Sequence, residues 1–275
     1  MKRRLLRTGA AGALLAAVMS VAAQPHESDW DTYLMQVEGR PVSVVVDLGL
    51  RTAAPMADRP LAVLIRTRIL RPQPNGLPGA NESARLDSLE QRLEDCLQRD
   101  RDAVYAGRYT QRGIRTFHFF TADSTGQATA LHQALAPFPE YAWLARTLTD
   151  TAWSNYFDVL YPPPREYECI RNRRLVDHLQ RMGDPLTEAR RIEHFLRFPT
   201  KSARMEFLRQ PGMDMFTVTD MPEADTGMTT LPYRLHLSRK DVPDHGLVDR
   251  LIMPLHDKAE RLRGRYEGWE THLVK

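Results

Sequence analysis

Arg265-Tyr-Glu-Gly-Trp-Glu-Thr-His-Leu-Val274 (RYEGWETHLV) decides how the second half of this chain folds. Tyr266, Gly268, Glu270 and His272 alternate with Glu267, Trp269, Thr271 and Leu273, the period of a strand. A solvated tail would be polar and poor in aromatics, so this segment is expected to lie in a sheet. Its partners stand upstream. ARRIEHFLRFP (189–199) reads as a strand, and Thr200 caps a helix running to about Arg209. MDMFTVTDM (213–221) and LPYRLHLSR (231–239) are two more strands. Asp244 opens a long helix with Leu247, Val248, Leu251, Ile252, Leu255 and Leu262 inward and a bend at Pro254. Ahead of them, Leu175, Leu179 and Met182 line a helix that Gly183, Asp184 and Pro185 stop. The order is a helix, then β-α-β-β-α-β. A ferredoxin-like topology pairs the last strand beside the first, inside the domain.

The first half repeats the pattern. DWDTYLMQVEGRPVSVVVDLGL (29–50) gives two strands joined at Glu38-Gly39-Arg40-Pro41, and RPLAVLIRTRIL (59–70) a third. A Pro/Gly loop follows. Asn81 then caps a helix from Glu82 to Arg99, with Leu86, Leu89, Leu93 and Leu97 at helical spacing. VYAGRYTQRGIRTFHFF (104–120) is a hairpin about Gln111-Arg112-Gly113. A helix at Ala128–Leu135, a strand at Tyr141–Thr147 and a helical turn holding Trp153, Tyr156 and Phe157 complete it. The expected fold class is α+β: two ferredoxin-like (βαββαβ) sandwiches in tandem, the first with extra N-terminal strands. Pro162, Pro163 and Pro164 mark the seam as an extended spacer. The division is therefore 1–23, 24–161, a Pro-rich linker at 162–170, and 171–275.

The opening MKRRLLRTGAAGALLAAVMSVAAQP has a basic start, an Ala/Leu-rich run and Val21-Ala22-Ala23, the signature of a cleavable signal peptide cut after Ala23. The run is shorter than a bilayer span. A periplasmic mature protein is expected. The segment holds four of the 38 basic residues and no acidic ones, leaving 34 against 35. That balance lacks the electrostatic footprint of a nucleic-acid binder. Cys96 and Cys169 fit either a disulfide or plain thiols.

The helix stopped at MGDP, ARRIEHFLRFP with its helix, and RYEGWETHLV make the second half resemble the regulator of ribonuclease E activity B family. NGLP, VYAGRYTQRGIRTFHFF and DTAWSNYFDVLYP make the first half resemble a bacterial domain of unknown function numbered 695. For the second half, the resemblance implies a non-enzymatic protein-binding module that contacts a ribonuclease scaffold in the cytoplasm. An uncleaved signal would make that role the expected one, and export would imply a different protein partner.

No chemistry-bearing spacing competes. His194, His236 and His272 fall on three strands of the second half, but the phases of His194 and His236 point them to opposite faces, so no metal is expected. There is no GxSxG elbow, no phosphate-cradling glycine loop and no Cys–His pair. Glu94-Asp95 reads as solvated helix charge. No cofactor and no enzymatic activity are expected. An unrecognised site in the interdomain cleft is the enzymatic alternative. The remaining candidates lie on the face of the second sheet turned from its helices: Glu193, Phe195 and Arg197 on one strand, Arg234, His236 and Ser238 on another. Phe195, Arg197, Arg234 and His236 are the expected partner-binding residues. An aromatic among arginines also suits single-stranded nucleic acid. The structural alternative is that the first half or a second copy covers this face.

Overall fold

The computed structural model describes residues 26–225, 227 and 230–275, so the expected export segment at 1–23 lies outside the described residues. Among the described residues, no helix is long and apolar enough to cross a membrane.

Strands β1 (Trp30–Val37), β2 (Arg40–Asp47), β3 (Leu61–Arg68), β4 (Val104–Gln111), β5 (Ile114–Thr121) and β6 (Trp143–Thr149) form one antiparallel sheet in the order β1-β2-β4-β5-β3-β6. Helix α1 (Ala80–Glu94) joins β3 to β4, and α2 (Gln127–Leu135) joins β5 to β6. Two-residue turns close both hairpins, with Glu38-Gly39 at φ 51° and 71° and Arg112-Gly113 at φ 53° and 73°. Such turns match strand twist but need left-handed backbone at both positions.

Helix α1 corrects the expected cap. It begins at Ala80, one residue ahead of Asn81, after Gly79, which makes no side-chain capping bond. The Glu82 carboxylate instead accepts the Leu70 and Arg71 amides at 2.5 and 2.9 Å. Its last turn, Asp95–Arg99, is π-helical rather than a plain continuation.

Val63, Ile65, Phe117 and Phe119 pack under Leu86, Leu89 and Leu93 of α1 and Leu131 of α2. Each side chain so buried contributes about 1.5–3 kcal/mol. The opposite face of the sheet is covered too. Val42, Val44, Val46 and Phe120 meet Trp153, Tyr156, Leu160 and Ile170, with the Phe120 and Trp153 rings stacked at 3.8 Å. The short helix α3 (Ser154–Phe157) supplies part of this layer. The first half is thus filled on both faces of its sheet.

The prolines do not make an extended spacer over 162–170. Helix α4 runs from Pro164 to Arg181, with Pro164 in its first turn. There a missing N–H loses no bond and the fixed φ is already helical. Ile170 lies in the core of the first half, while Val176 and Leu179 lie in that of the second. One helix therefore belongs to both. Arg174 Nε donates to Asp31 at 2.5 Å and its Nη1 to Asp29 at 3.0 Å, and Arg173 pairs with Asp31, fastening α4 to β1.

The second half contains β7 (Arg190–Phe198), α5 (Lys201–Leu208), β8 (Thr217–Asp220), β9 (Tyr233–Asp241), α6 (Met253–Arg261) and β10 (Arg265–Thr271), its antiparallel sheet ordered β10-β7-β9-β8. Thr200 caps α5 as expected, accepting the Ala203 amide at 3.1 Å. The long helix is divided: a π-helical turn at Val248–Ile252 precedes α6, whose first turn holds Pro254. That position spares the proline an unmet donor.

RYEGWETHLV pairs with β7 as expected, at one edge of the sheet. Its strict alternation breaks, however. A register shift between Tyr266 and Gly268 leaves Glu267 unpaired, with Gly268 at φ 141°. One extra residue turns the following side chains over. Tyr266 and Trp269, three apart, consequently both enter the core.

Candidate functional site

The site is built on the central pair of the second sheet. Ile192, His194, Leu196 and Phe198 of β7 and Leu235 and Leu237 of β9 are buried, most of them packed beneath Val176, Phe207, Leu251 and Leu255. Period two then sends Glu193, Phe195, Arg197, Arg234 and His236 to the face without helices. Phe195 stands directly opposite His236 and Arg197 opposite Arg234. The four expected residues are therefore brought together. Ser238, expected beside them, is buried.

The rings of Phe195 and His236 meet edge to face, 4.8 Å apart at 83°. Arg197 Nε donates to Glu267 at 3.1 Å, and its Nη1 reaches Asp225 at 3.5 Å. Glu267 is the unpaired bulge residue, so the break in β10 is what carries a carboxylate onto this face. Arg265 also donates to it, at 3.1 Å. His236 Nδ1 lies 3.6 Å from Asp220, and Glu193 accepts from Thr219 at 3.3 Å. Arg234 differs from these. Its Nε is buried without a partner, and no acidic residue among those described pairs with it. Behind the strand, buried Arg204 of α5 donates to the Arg234 carbonyl at 2.9 Å and the Pro222 carbonyl at 2.6 Å, fixing the backbone that carries it. Among the described residues, the hydrogen-bond, ion-pair and ring partners of these face residues come from the second half.

The strand histidines do not converge. His194 is buried, with Nδ1 2.9 Å from the Tyr266 hydroxyl, and burial pulls its pKa down to about 4. His236 is on the other face, and His272 lies beyond the end of β10. Among the described residues, the metal-ligand types that do approach one another are His256, Asp257 and Glu260 of α6, within 4.8 Å. Asp257 is also held by Arg165 Nε at 3.4 Å. Cys96 and Cys169 form no disulfide, and burial pushes the Cys96 thiol up, away from the thiolate.

A cleft of about 840 Å³ does lie between the halves, lined by Tyr161, Pro163, Tyr167, His256, Glu260 and Tyr266. The groups shifted there are the phenols of Tyr161 and Tyr266, both moved up by burial. A phenol held neutral supplies neither base nor nucleophile.

One displaced carboxyl was missed by the sequence reading. Glu94 is half-buried in a groove of about 490 Å³ beside Trp30 and Tyr105, not solvated. Burial, with Glu90 and Asp95 nearby, pushes it up to about 7. Glu90 is buried and accepts from the Tyr105 hydroxyl at 2.6 Å. The spacing of Glu90 and Glu94 on one helix face was the available signal.

Comparison with known proteins divides the chain at the same seam. Residues 28–161 match the model of a family of unknown function (DUF695), and residues 170–271 match that of the regulator of ribonuclease activity B (RraB). The chain is a tandem of these two modules, in the order that the residues resembled. No curated protein matches it. Among solved structures, an unknown protein from Galdieria sulphuraria is 9% identical over 78% of this chain and 98% of its own, with a TM-score of 0.20. A putative glycine cleavage system transcriptional repressor is 13% identical over 77% and 98%, also at 0.20. Likeness at that level bears on neither fold nor function.

Proposed function

We propose that this tandem of a DUF695 and an RraB module is an exported, non-catalytic protein-binding protein, two ferredoxin-like units joined by a shared helix. Its partner is a protein that docks on the helix-free face of the second sheet. One observation carries the reading: Phe195 and His236 form an aromatic pair beside Arg234, a cation with no carboxylate of its own among the described residues. A partner presenting an acidic side chain next to an apolar one would meet both. The regulator family of the second half supports protein binding in general. The signal pattern of residues 1–23 supports export.

Single-stranded nucleic acid suits the face less well. Glu193, Asp220, Asp225 and Glu267 stand among its cations, and Arg197 is already neutralised by two of them. Carboxylates so placed repel a phosphate backbone. Binding to single-stranded RNA at two salt concentrations tests this; retention that falls steeply with salt would favour the nucleic-acid reading.

The deciding experiment compares capture by the full chain with capture by a Phe195→Ala/Arg234→Glu variant, from the periplasmic and cytoplasmic fractions separately. A partner held by the first and lost by the second, at equal thermal stability, supports the reading. No reproducible partner, together with measurable turnover of a substrate, overturns it. N-terminal sequencing of the same protein separates the compartments. A start near Gln24 in the periplasm supports export, and an intact Met1 in the cytoplasm restores ribonuclease regulation through the RraB module.

A further inference from the structure

The outer edge of the first sheet has an open row of backbone groups. Strand β6 pairs only with β3 and ends the sheet. The Arg68 amide donates to the Ala142 carbonyl and the Asp150 amide to the Pro60 carbonyl, so even-numbered residues here turn their backbone toward β3. In an antiparallel ladder the alternate residues turn outward. Trp143, Ala145, Thr147 and Thr149 therefore present their N–H and C=O groups to the outside. Proteins usually guard such an edge with a bulge, a proline, a lysine or a very short strand. β6 is seven residues long, WLARTLT, without a proline or lysine, and its register with β3 is unbroken.

The side chains around this edge differ on its two sides. On the helix side, Ala128 and His132 of α2 stand across a groove of about 470 Å³ from Trp143 and Ala145, with His132 against the Trp143 ring at 4.8 Å. A strand beside a helix across an apolar groove is the arrangement that receives an added peptide strand. On the other side Leu144 is 65% exposed, with Arg66 opposite it on β3 and Arg146 two residues along. Both arginines are exposed, and neither has an acidic partner among the described residues. A second copy of β6 is a poor occupant, because antiparallel pairing centred on Arg146 would set that arginine against itself.

We propose that β6 is a docking edge for an extended segment of a protein partner in which acidic and apolar side chains alternate. The segment adds a seventh strand to the sheet. Its apolar side chains enter the groove beside Trp143 and Ala145, and its carboxylates lie over Arg146 and Arg66. This edge is separate from the face of the second sheet, so the protein has two independent contact surfaces.

The test measures binding of fluorescently labelled octapeptides to the full chain, by polarisation. The probes are a peptide of alternating Glu and Val, its Lys/Val counterpart, and a block version with four Glu followed by four Val. The alternating acidic peptide is expected to bind best. Ala145→Pro removes one outward N–H without touching the β3 ladder, and should weaken binding about tenfold. Arg146→Glu should reverse the preference between the Glu/Val and Lys/Val peptides. Should Ala145→Pro melt early, Arg146→Glu alone decides, since its side chain is exposed and unpaired. No binding to the native chain at 1 mM peptide (about −4 kcal/mol), equal binding of the block peptide, or an unchanged charge preference in Arg146→Glu each overturns the proposal.

Discussion

The indole Nε1 of Trp269, on the last strand, donates to Oδ1 of Asn172, on the helix common to both halves, at 2.7 Å with both residues buried. The Asn172 amide in turn donates to the Glu168 carbonyl at 2.6 Å. Asn172→Leu would leave the indole N–H buried with no acceptor, a loss of about 1–3 kcal/mol. Urea unfolding followed by tryptophan fluorescence should show a lower midpoint with an unchanged slope. A midpoint equal to that of the native chain would remove this bond from the account of how β10 is held.

Two glycines adopt one unusual backbone conformation. Gly107 and Gly268 both stand at φ 141°, each two residues after a buried tyrosine and each beside a register shift. Their surroundings are opposite. A Cβ on Gly107 would come within 2.2 Å of the Val45 carbonyl oxygen, whereas one on Gly268 meets nothing within 4 Å. Gly268→Ala should cost only backbone strain, about 1–3 kcal/mol. Gly107→Ala should cost clearly more, because backbone must move. Thermal melting of the pair ranks them, and the reverse order would contradict this assignment of the clash.

Glu94, held up at about 7, binds its proton more tightly in the folded chain than in the unfolded one. Between its ordinary value and 7 the folded state carries the extra proton, so this group makes stability fall as pH rises through that window. Glu94→Gln keeps the neutral shape. It should match the native chain at pH 4 and exceed it at pH 8, by no more than about 1 kcal/mol given partial exposure. Equal melting temperatures at pH 8 would show that Glu94 is not displaced.

His118 and His194 carry the opposite sign. Burial pulls both to about 4, and neither ring nitrogen of His118 has a partner. Below the ordinary histidine value the unfolded chain takes up protons that the folded chain refuses. Stability is therefore full above about 6.5 and is lost as pH falls toward 4. His118→Leu removes one of the two groups and should flatten the fall in melting temperature over that range. An unaltered pH profile would mean that His118 does not remain neutral.

Much of the site was legible because strand phase is local. The alternation in ARRIEHFLRFP is enough to send Phe195 and Arg197 one way and His194 the other, and Tyr233 to Leu237 does the same for Arg234 and His236. What could not be read depends on backbone irregularity or distant packing. Tyr266 and Trp269 share a face only because Glu267 bulges, and a single bulge reverses every phase beyond it. Glu94 is half-buried because the β1–β2 hairpin and Trp30 lie across from α1, a relation set by the whole sheet. The prolines before α4 were misread for a simpler reason: the same residues suit an extended spacer and the first turn of a helix.

The helix from Pro164 to Arg181 has a practical corollary for anyone dissecting the gene. No cut on either side of it yields two self-sufficient fragments. One piece would always keep Ile170 with nothing to cover it, or surrender Asn172 and leave Trp269 bare. The two modules fold as one object, and a single calorimetric peak is how that inseparability would announce itself.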